Sequence, residues 1–163
     1  MNAKTPEESS VIMTELVLPQ NTNALGTIFG GTVMAWIDIA AAIAAGRHTR
    51  KIVVTASIDA LHFIAPIKLG HVVHIHARVN RAFRTSVEVG VRVDSENNLT
   101  GEKTHTVTAY VTFVALDSNG RPSEVPPIEP KSKEDKRRFN EALKRKEHRL
   151  KLKKELSALV DGS

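Results

Sequence analysis

The run from Thr32 to Arg47 limits this chain more than any other segment. Val33, Met34, Ala35, Trp36, Ile37, Ile39, Ala40, Ala41, Ala42, Ile43, Ala44 and Ala45 surround a single charged residue, Asp38. Ala, Ile and Met over this length predict a helix. Gly30 and Gly31 open it, and Gly46, Arg47 and His48 mark its end. A helix with no polar stripe must be buried on all sides, so in a chain of 163 residues something must wrap it. The membrane is not the answer. The longest unbroken apolar stretch, Ile39 to Ala45, is seven residues, and a span needs about 18.

The wrapper is legible in the strand patterns. Val11 to Leu18 alternates loosely. Pro19 to Asn23 is a turn cluster. Lys51 to Ile64 is β-branched and reads as extended up to Pro66 and Gly70. From His71 to Arg81, Val73, Ile75, Ala77 and Val79 share one face, with His74, His76 and Arg78 on the other. In Ser86 to Asp94, Val87, Val89, Val91 and Val93 alternate with Ser86, Glu88, Gly90 and Arg92. Thr104 to Leu116 is the last strand. Short turns between consecutive strands predict antiparallel hairpins. The class is α+β, one buried helix with strands curled around it.

Four segments follow. Residues 1–9 read as a flexible start and 10–118 as the domain. Residues 119–131, with Pro122, Pro126, Pro127 and Pro130, read as an extended linker. Residues 132–163 read as a helix, with Ser132 as N-cap and Asp135 three residues on. Phe139, Leu143, Leu150, Leu152, Leu156 and Leu159 give that helix a sparse apolar stripe, either packed on a partner surface or partly frayed. The charge is divided the same way. Residues 1–130 carry 11 basic and 12 acidic side chains, residues 131–163 carry 12 and 6. The net +5 belongs to the tail. A solvated helix surface accounts for it; an anionic partner, such as a phosphorylated ligand, an acidic protein face or RNA, is the alternative.

No cysteine is present, which excludes a disulfide scaffold, a Cys-based zinc site and a cysteine nucleophile. The N-terminus leads into polar sequence without an apolar signal core, and the expectation is a soluble cytoplasmic protein. His71 points away from His74 and His76 on a strand, so the three do not converge as metal ligands. His62 follows the period of Ile58 and Ile64 and is expected to be partly buried. Trp36 is expected in the core.

Asp38 is the anomaly. Burying an unpaired carboxylate costs several kcal/mol. A hydrogen-bonded structural Asp, or one facing a subunit boundary, is one reading. A base or nucleophile in a dry cleft is the other. Upstream, Gly30 and Gly31 present backbone N–H groups and the positive end of a helix dipole, which suits an oxyanion. Asn23 adds a neutral donor. Together they suggest acyl transfer to water.

Asn23-x-x-Gly26-x-x-Phe29-Gly30-Gly31 followed by Asp38, then Val54-Thr55-Ala56-Ser57-Ile58-Asp59, then Arg84-Thr85-Ser86, resembles the bacterial acyl-CoA hydrolases of the hotdog-fold superfamily. The resemblance covers roughly residues 10–150. It implies a central helix in a curled antiparallel sheet, and hydrolysis of acyl-CoA to free acid and CoA. It implies Asp38 as general base or nucleophile, Asn23 as the residue orienting water or carbonyl, and the Gly30 N–H as oxyanion donor. It further implies Thr55 as a hydroxyl that helps place water. Arg84, Thr85 and Ser86 match a CoA-contacting segment, with Phe83 where the family has glycine. Asp59 also lies in a family motif. No cofactor is implied beyond the CoA of substrate and product, and no metal.

A non-catalytic acyl-CoA-binding regulator is the alternative reading. A hotdog dehydratase would want a His beside Asp38, and none is there. The basic tail is the only nucleic-acid candidate, and its one aromatic, Phe139, makes a poor stacking platform. Gly30 and Asp38 are eight residues apart, about 12 Å along a helix axis. One helix cannot bring both to one carbonyl. The site is therefore expected to combine Asn23 and Gly30 of one subunit with Asp38 of another, in a homodimer; the resemblance adds a trimer of dimers.

Overall fold

A computed structural model describes residues 1–162; Ser163, the end of the 132–163 segment, lies outside the described residues. In chain order the elements are β1 (Val11–Leu16), α1 (Gly30–Thr49), β2 (Ile52–Ile58), β3 (Val72–Ala82), β4 (Ser86–Glu96), β5 (Lys103–Leu116) and α2 (Lys133–Asp161). The strands form one antiparallel sheet in the order β1-β3-β4-β5-β2. It curls around α1, the arrangement of a hotdog fold.

The alternation of β4 sets this geometry. Val87, Val89, Val91 and Val93 are buried on the concave side, where Val33, Ile37, Ala40, Ala41, Ala44 and Ala45 of α1 meet them. Four alanines let the helix approach closely. Each fully buried Val or Ile contributes about 1.5–3 kcal/mol.

The helix is wrapped on one side only. Ala40, Ala41, Ala44 and Ala45 are fully buried, while Met34, Ile39 and Ile43 are 38–51% exposed. This corrects the expectation of burial on all sides. Five strands enclose half the circumference of a helix, and the other half stays open. β2, which borders that open side, is also an unpaired sheet edge, with Ile52 and Val54 exposed on it.

Three further expectations change. The extended run from Lys51 stops at Ile58 rather than Ile64. Residues 59–63 carry no β-branched side chain, and residues 59–69 cross as an irregular strap toward the start of α1. His62 on the strap is exposed, not partly buried. The first nine residues are not loose. Pro6–Ser9 is a 3-10 turn; buried Ser9 accepts the Val79 N–H at 2.9 Å through Oγ, and Lys4 Nζ donates to the His48 carbonyl at 2.7 Å. The Pro-rich segment is docked as well: Val125 and Ile128 are buried, and His48 Nε2 lies 2.7 Å from the Pro126 carbonyl oxygen.

α2 starts as expected, with Ser132 accepting from the Asp135 N–H and Asp135 returning the bond. Its first half lies on the convex face of the chain's own sheet, while Leu150, Leu152, Leu156 and Leu159 of its second half are exposed. Ion pairs tie the helix there: Arg78 of β3 pairs with Asp135 at 3.0 Å, Arg145 with Glu88 at 2.7 Å and Arg149 with Asp59 at 2.7 Å. No helix among the described residues is long and apolar enough to cross a membrane.

Candidate active site

Asp38 projects from the middle of α1 and is half-buried in this chain, not enclosed as the sequence suggested. It is also not unpaired: the Thr55 hydroxyl donates to its Oδ1 at 2.8 Å. Thr55 is brought there by β2. Its strand register shifts between Thr55 and Ser57, a bulge that leaves Ala56 unpaired. Bulges bend a strand and re-aim its side chains, and this one turns β2 at the residue that meets the helix. Among the described residues no other hydrogen bond reaches the Asp38 carboxylate, so Oδ2 is free to accept a proton.

The second group sits at the start of α1. Asn23 folds its own loop: Oδ1 accepts the N–H groups of Leu25 at 2.9 Å and Thr27 at 3.2 Å, and Nδ2 donates to Thr27 Oγ1 at 2.9 Å. One Nδ2 hydrogen is left over. Phe29 is the N-cap and provides no side-chain cap to α1, so the first helical N–H groups, Gly30 included, keep their unspent donors. A Cβ placed on Gly30 would lie 3.5 Å from the Phe63 ring, ordinary contact. Glycine there is not required by the chain's own packing; it leaves the N–H approachable. Beside it opens a cavity of about 420 Å³ lined by Thr27, Ile28, Gly30 and residues 63–67 of the strap.

These two groups are not joined by any hydrogen bond among the described residues. Asp38 and Thr55 form one cluster, Asn23 and Gly30 another at the start of the same helix. Arg84, Thr85 and Ser86 form a third group in the β3–β4 turn. Phe83 N–H bonds Ser86 O at 2.8 Å, and the Arg84 and Thr85 carbonyls accept from Val125 and Ala115. Among the described residues their side chains make no hydrogen bond, and Arg84 is exposed. Among the described residues no group of three or more His, Asp or Glu is placed to hold a metal ion. Instead His74 pairs with Glu96 at 3.1 Å.

A model of the thioesterase superfamily matches residues 25–102. YkhA of Bacillus subtilis, named as an uncharacterized acyl-CoA thioester hydrolase, is 40% identical over 98% of this chain and 95% of its own. This chain belongs to the acyl-CoA thioester hydrolases of the thioesterase superfamily. Solved members share its fold. A hexameric acyl-CoA thioesterase is 46% identical with a TM-score of 0.89, covering 93% of this chain and 97% of the other. The acyl-CoA hydrolase of Staphylococcus aureus, solved with butyryl-CoA and CoA, is 36% identical with a TM-score of 0.90, covering 98% and 97%.

Sequence reading of this thioester hydrolase missed two features. Phe63, the wall of the cavity at Gly30, is hidden in a run that reads as a strand; its signal is an aromatic three residues before Pro66, beyond the break in β-branched residues at 59–62. The Glu88–Arg145 pair was hidden on both sides. Glu88 occupies an ordinary outward position of an alternating strand, and Arg145 is one of many cations on a basic helix. Arginines four apart on one face, at 145 and 149, are the only trace.

Proposed function

We propose that this chain hydrolyses acyl-CoA thioesters at a site shared by two subunits, with Asp38 as the proton acceptor or nucleophile. The observation that carries the reading is the Thr55-to-Asp38 hydrogen bond, which fixes one carboxylate oxygen and leaves the other free. Staphylococcus aureus acyl-CoA hydrolase has been solved as Asn→Ala, Asp→Ala and Thr→Ala variants, with the same spacing along the chain as Asn23, Asp38 and Thr55.

In the general-base form, the free oxygen of Asp38 takes a proton from water as that water attacks the thioester carbon. The carbonyl oxygen gains the charge and is held by the Gly30 N–H at the helix N-terminus, with the spare Asn23 Nδ2 hydrogen as a second donor. Collapse breaks the C–S bond. The proton on Asp38 passes to the departing CoA sulfur, and the acid leaves. In the nucleophile form Asp38 attacks the carbon itself, the C–S bond breaks and the CoA thiolate leaves and takes a proton from water; a further water then opens the mixed anhydride, releasing the acid and restoring the Asp38 carboxylate. The exposed Arg84 guanidinium and the free hydroxyls of Thr85 and Ser86 are assigned to CoA.

A second copy covers the open side of α1 and the β2 edge. An unpaired edge strand beside exposed Met34, Ile39, Ile43 and Val54 is a surface that a monomer does not leave in water. The assembly is assigned as a trimer of dimers, supported by the hexameric relative.

The test is thiol release from a series of acyl-CoAs, followed by a mixing experiment. Asn23→Ala and Asp38→Ala are each inactive. Unfolded together and refolded, half the dimers are mixed, and half the sites in those carry neither change. Activity returns to about one quarter of wild type. Verified mixed dimers as dead as either parent overturn the shared site. Acyl-CoA bound but never cleaved by the wild type would make the chain a regulator.

A further inference from the structure

Asp59 closes β2 and opens the strap. Its N–H donates to the Tyr110 carbonyl at 3.1 Å. Its carboxylate takes a two-point bond from Arg149 of α2, Nε to Oδ1 at 2.7 Å and Nη2 to Oδ2 at 3.1 Å. Glu88 lies 3.9 Å from the same guanidinium. The next backbone anchor is Ile64, whose N–H reaches the Thr106 carbonyl at 3.0 Å. Farther on, the Ile67 carbonyl takes the Ile28 N–H at 2.8 Å. The backbone of residues 60–63 between the anchors makes no hydrogen bond among the described residues. Phe63, at the end of that unsupported stretch, is the wall that faces Gly30.

The geometry points to Arg149 as a positioning residue. By clamping Asp59 it fixes where the strap starts, and so how far Phe63 stands from Gly30. That distance sets the width of the cavity next to the oxyanion donor, and with it which acyl groups fit. The inference rests on the thioesterase reading above and adds a specificity role for a residue of α2, a helix that does not line the cavity. A two-point Arg–carboxylate bond fixes direction as well as distance, which suits a clamp better than a lysine would. The cavity is lined by Ile28, Phe63, Ile64, Pro66 and Ile67, a surface for an acyl chain rather than for phosphate.

The experiment has two arms. In the first, amide hydrogen exchange is followed in the full-length protein without substrate. Arg149→Ala accelerates exchange at the anchor amides of Asp59 and Ile64 and leaves β4 unchanged; Arg149→Lys falls between it and wild type. Unchanged exchange at Asp59 and Ile64 overturns the clamp. In the second, kcat and KM are measured for acetyl-, butyryl- and octanoyl-CoA. Phe63→Ala raises the octanoyl-to-acetyl ratio of kcat/KM about tenfold, the scale of one or more methylenes in an apolar pocket. Arg149→Ala moves the ratio the same way by less, mainly through KM. The double variant matches Phe63→Ala alone, because the clamp acts through that ring. Additive effects, or an equal loss for every acyl length, make Arg149 merely structural. If wild type cleaves no acyl-CoA, the thioesterase reading falls while the exchange arm still decides the clamp. If Arg149→Ala does not fold, Arg149→Lys carries both arms.

Discussion

Asp38 and Glu88 each have an apolar residue on either side, one on α1 and one on β4. Glu88 is buried to 1% exposure and saturated. Arg145 reaches both its oxygens, Asn80 Nδ2 donates at 3.0 Å, and Arg149 stands just beyond. Gly90 makes the room: a Cβ there would fall 2.6 Å from the Asn80 amide. Arg145 also stacks on Tyr110 at 3.6 Å. Asp38 has one hydroxyl and an open side. A carboxylate that holds a structure together has its lone pairs filled by its own chain. A carboxylate that does chemistry keeps one for the substrate.

The largest effect expected from this contrast is on stability. Arg145→Ala leaves Glu88 buried with most of its charge partner gone. Breaking a buried pair from one side costs about 3–5 kcal/mol, read as a lower urea midpoint at unchanged slope. Replacing both members, Glu88→Met with Arg145→Leu, recovers most of that loss, since no charge is then stranded. If Arg145→Ala costs under about 1 kcal/mol, the usual value of an exposed pair, the Glu88 site is not the structural one.

Asp38→Asn reverses the pattern. The amide is near-isosteric and still accepts from Thr55, so the urea midpoint holds. The proton acceptor is gone, and kcat falls at least ~100-fold, about 2.7 kcal/mol of barrier. Thr55→Ala is milder. It removes one hydrogen bond to the carboxylate, worth about 1.5 kcal/mol at the low end for a charged acceptor, so kcat falls roughly tenfold, and Thr55→Ser restores it. Wild-type kcat at saturating acyl-CoA in the Asp38 variant would remove Asp38 from the chemistry.

The two carboxylates also differ in how they read from sequence. Asp38 stands out because a helix has no polar position in its neighbourhood to hide it. Glu88 sits where alternation expects a polar residue, so nothing marks it as buried. What buries it is α2, more than forty residues downstream, and only the tertiary fold brings the two together. The same reason explains the tail. Its charge was legible; that Arg145 and Arg149 close internal pairs was not, because their partners lie on β4 and at the end of β2, and neither was the hold of Arg78 of β3 on Asp135 at its start. The sheet and the central helix were legible because valine alternation and an unbroken apolar helix are local patterns. The open face of α1 was not, since a sequence shows that a surface is apolar but not whether its own chain or another covers it.

The smallest effect concerns a third buried group. His48 ends α1 with its ring fully enclosed, Nε2 donating to the Pro126 carbonyl at 2.7 Å and Nδ1 without a partner. Burial holds its pKa below the ordinary histidine value of 6.5, the Pro126 bond opposing this in part. The folded protein therefore keeps His48 neutral at a pH where the unfolded chain binds a proton. Stability rises with pH wherever the unfolded state binds more protons, so this contribution is complete above about pH 6.5 and is lost as pH falls below it. The ring is the peg that holds the Pro-rich segment against α1, so protonation loosens that segment first. His48→Gln keeps a donor for Pro126 and removes the titration. Thermal melts of the two proteins between pH 5 and pH 8 test this: wild type loses more of its melting temperature than His48→Gln on going from pH 7 to pH 5. Parallel curves would mean that the enclosed ring is protonated in the folded protein, with Nδ1 paired after all.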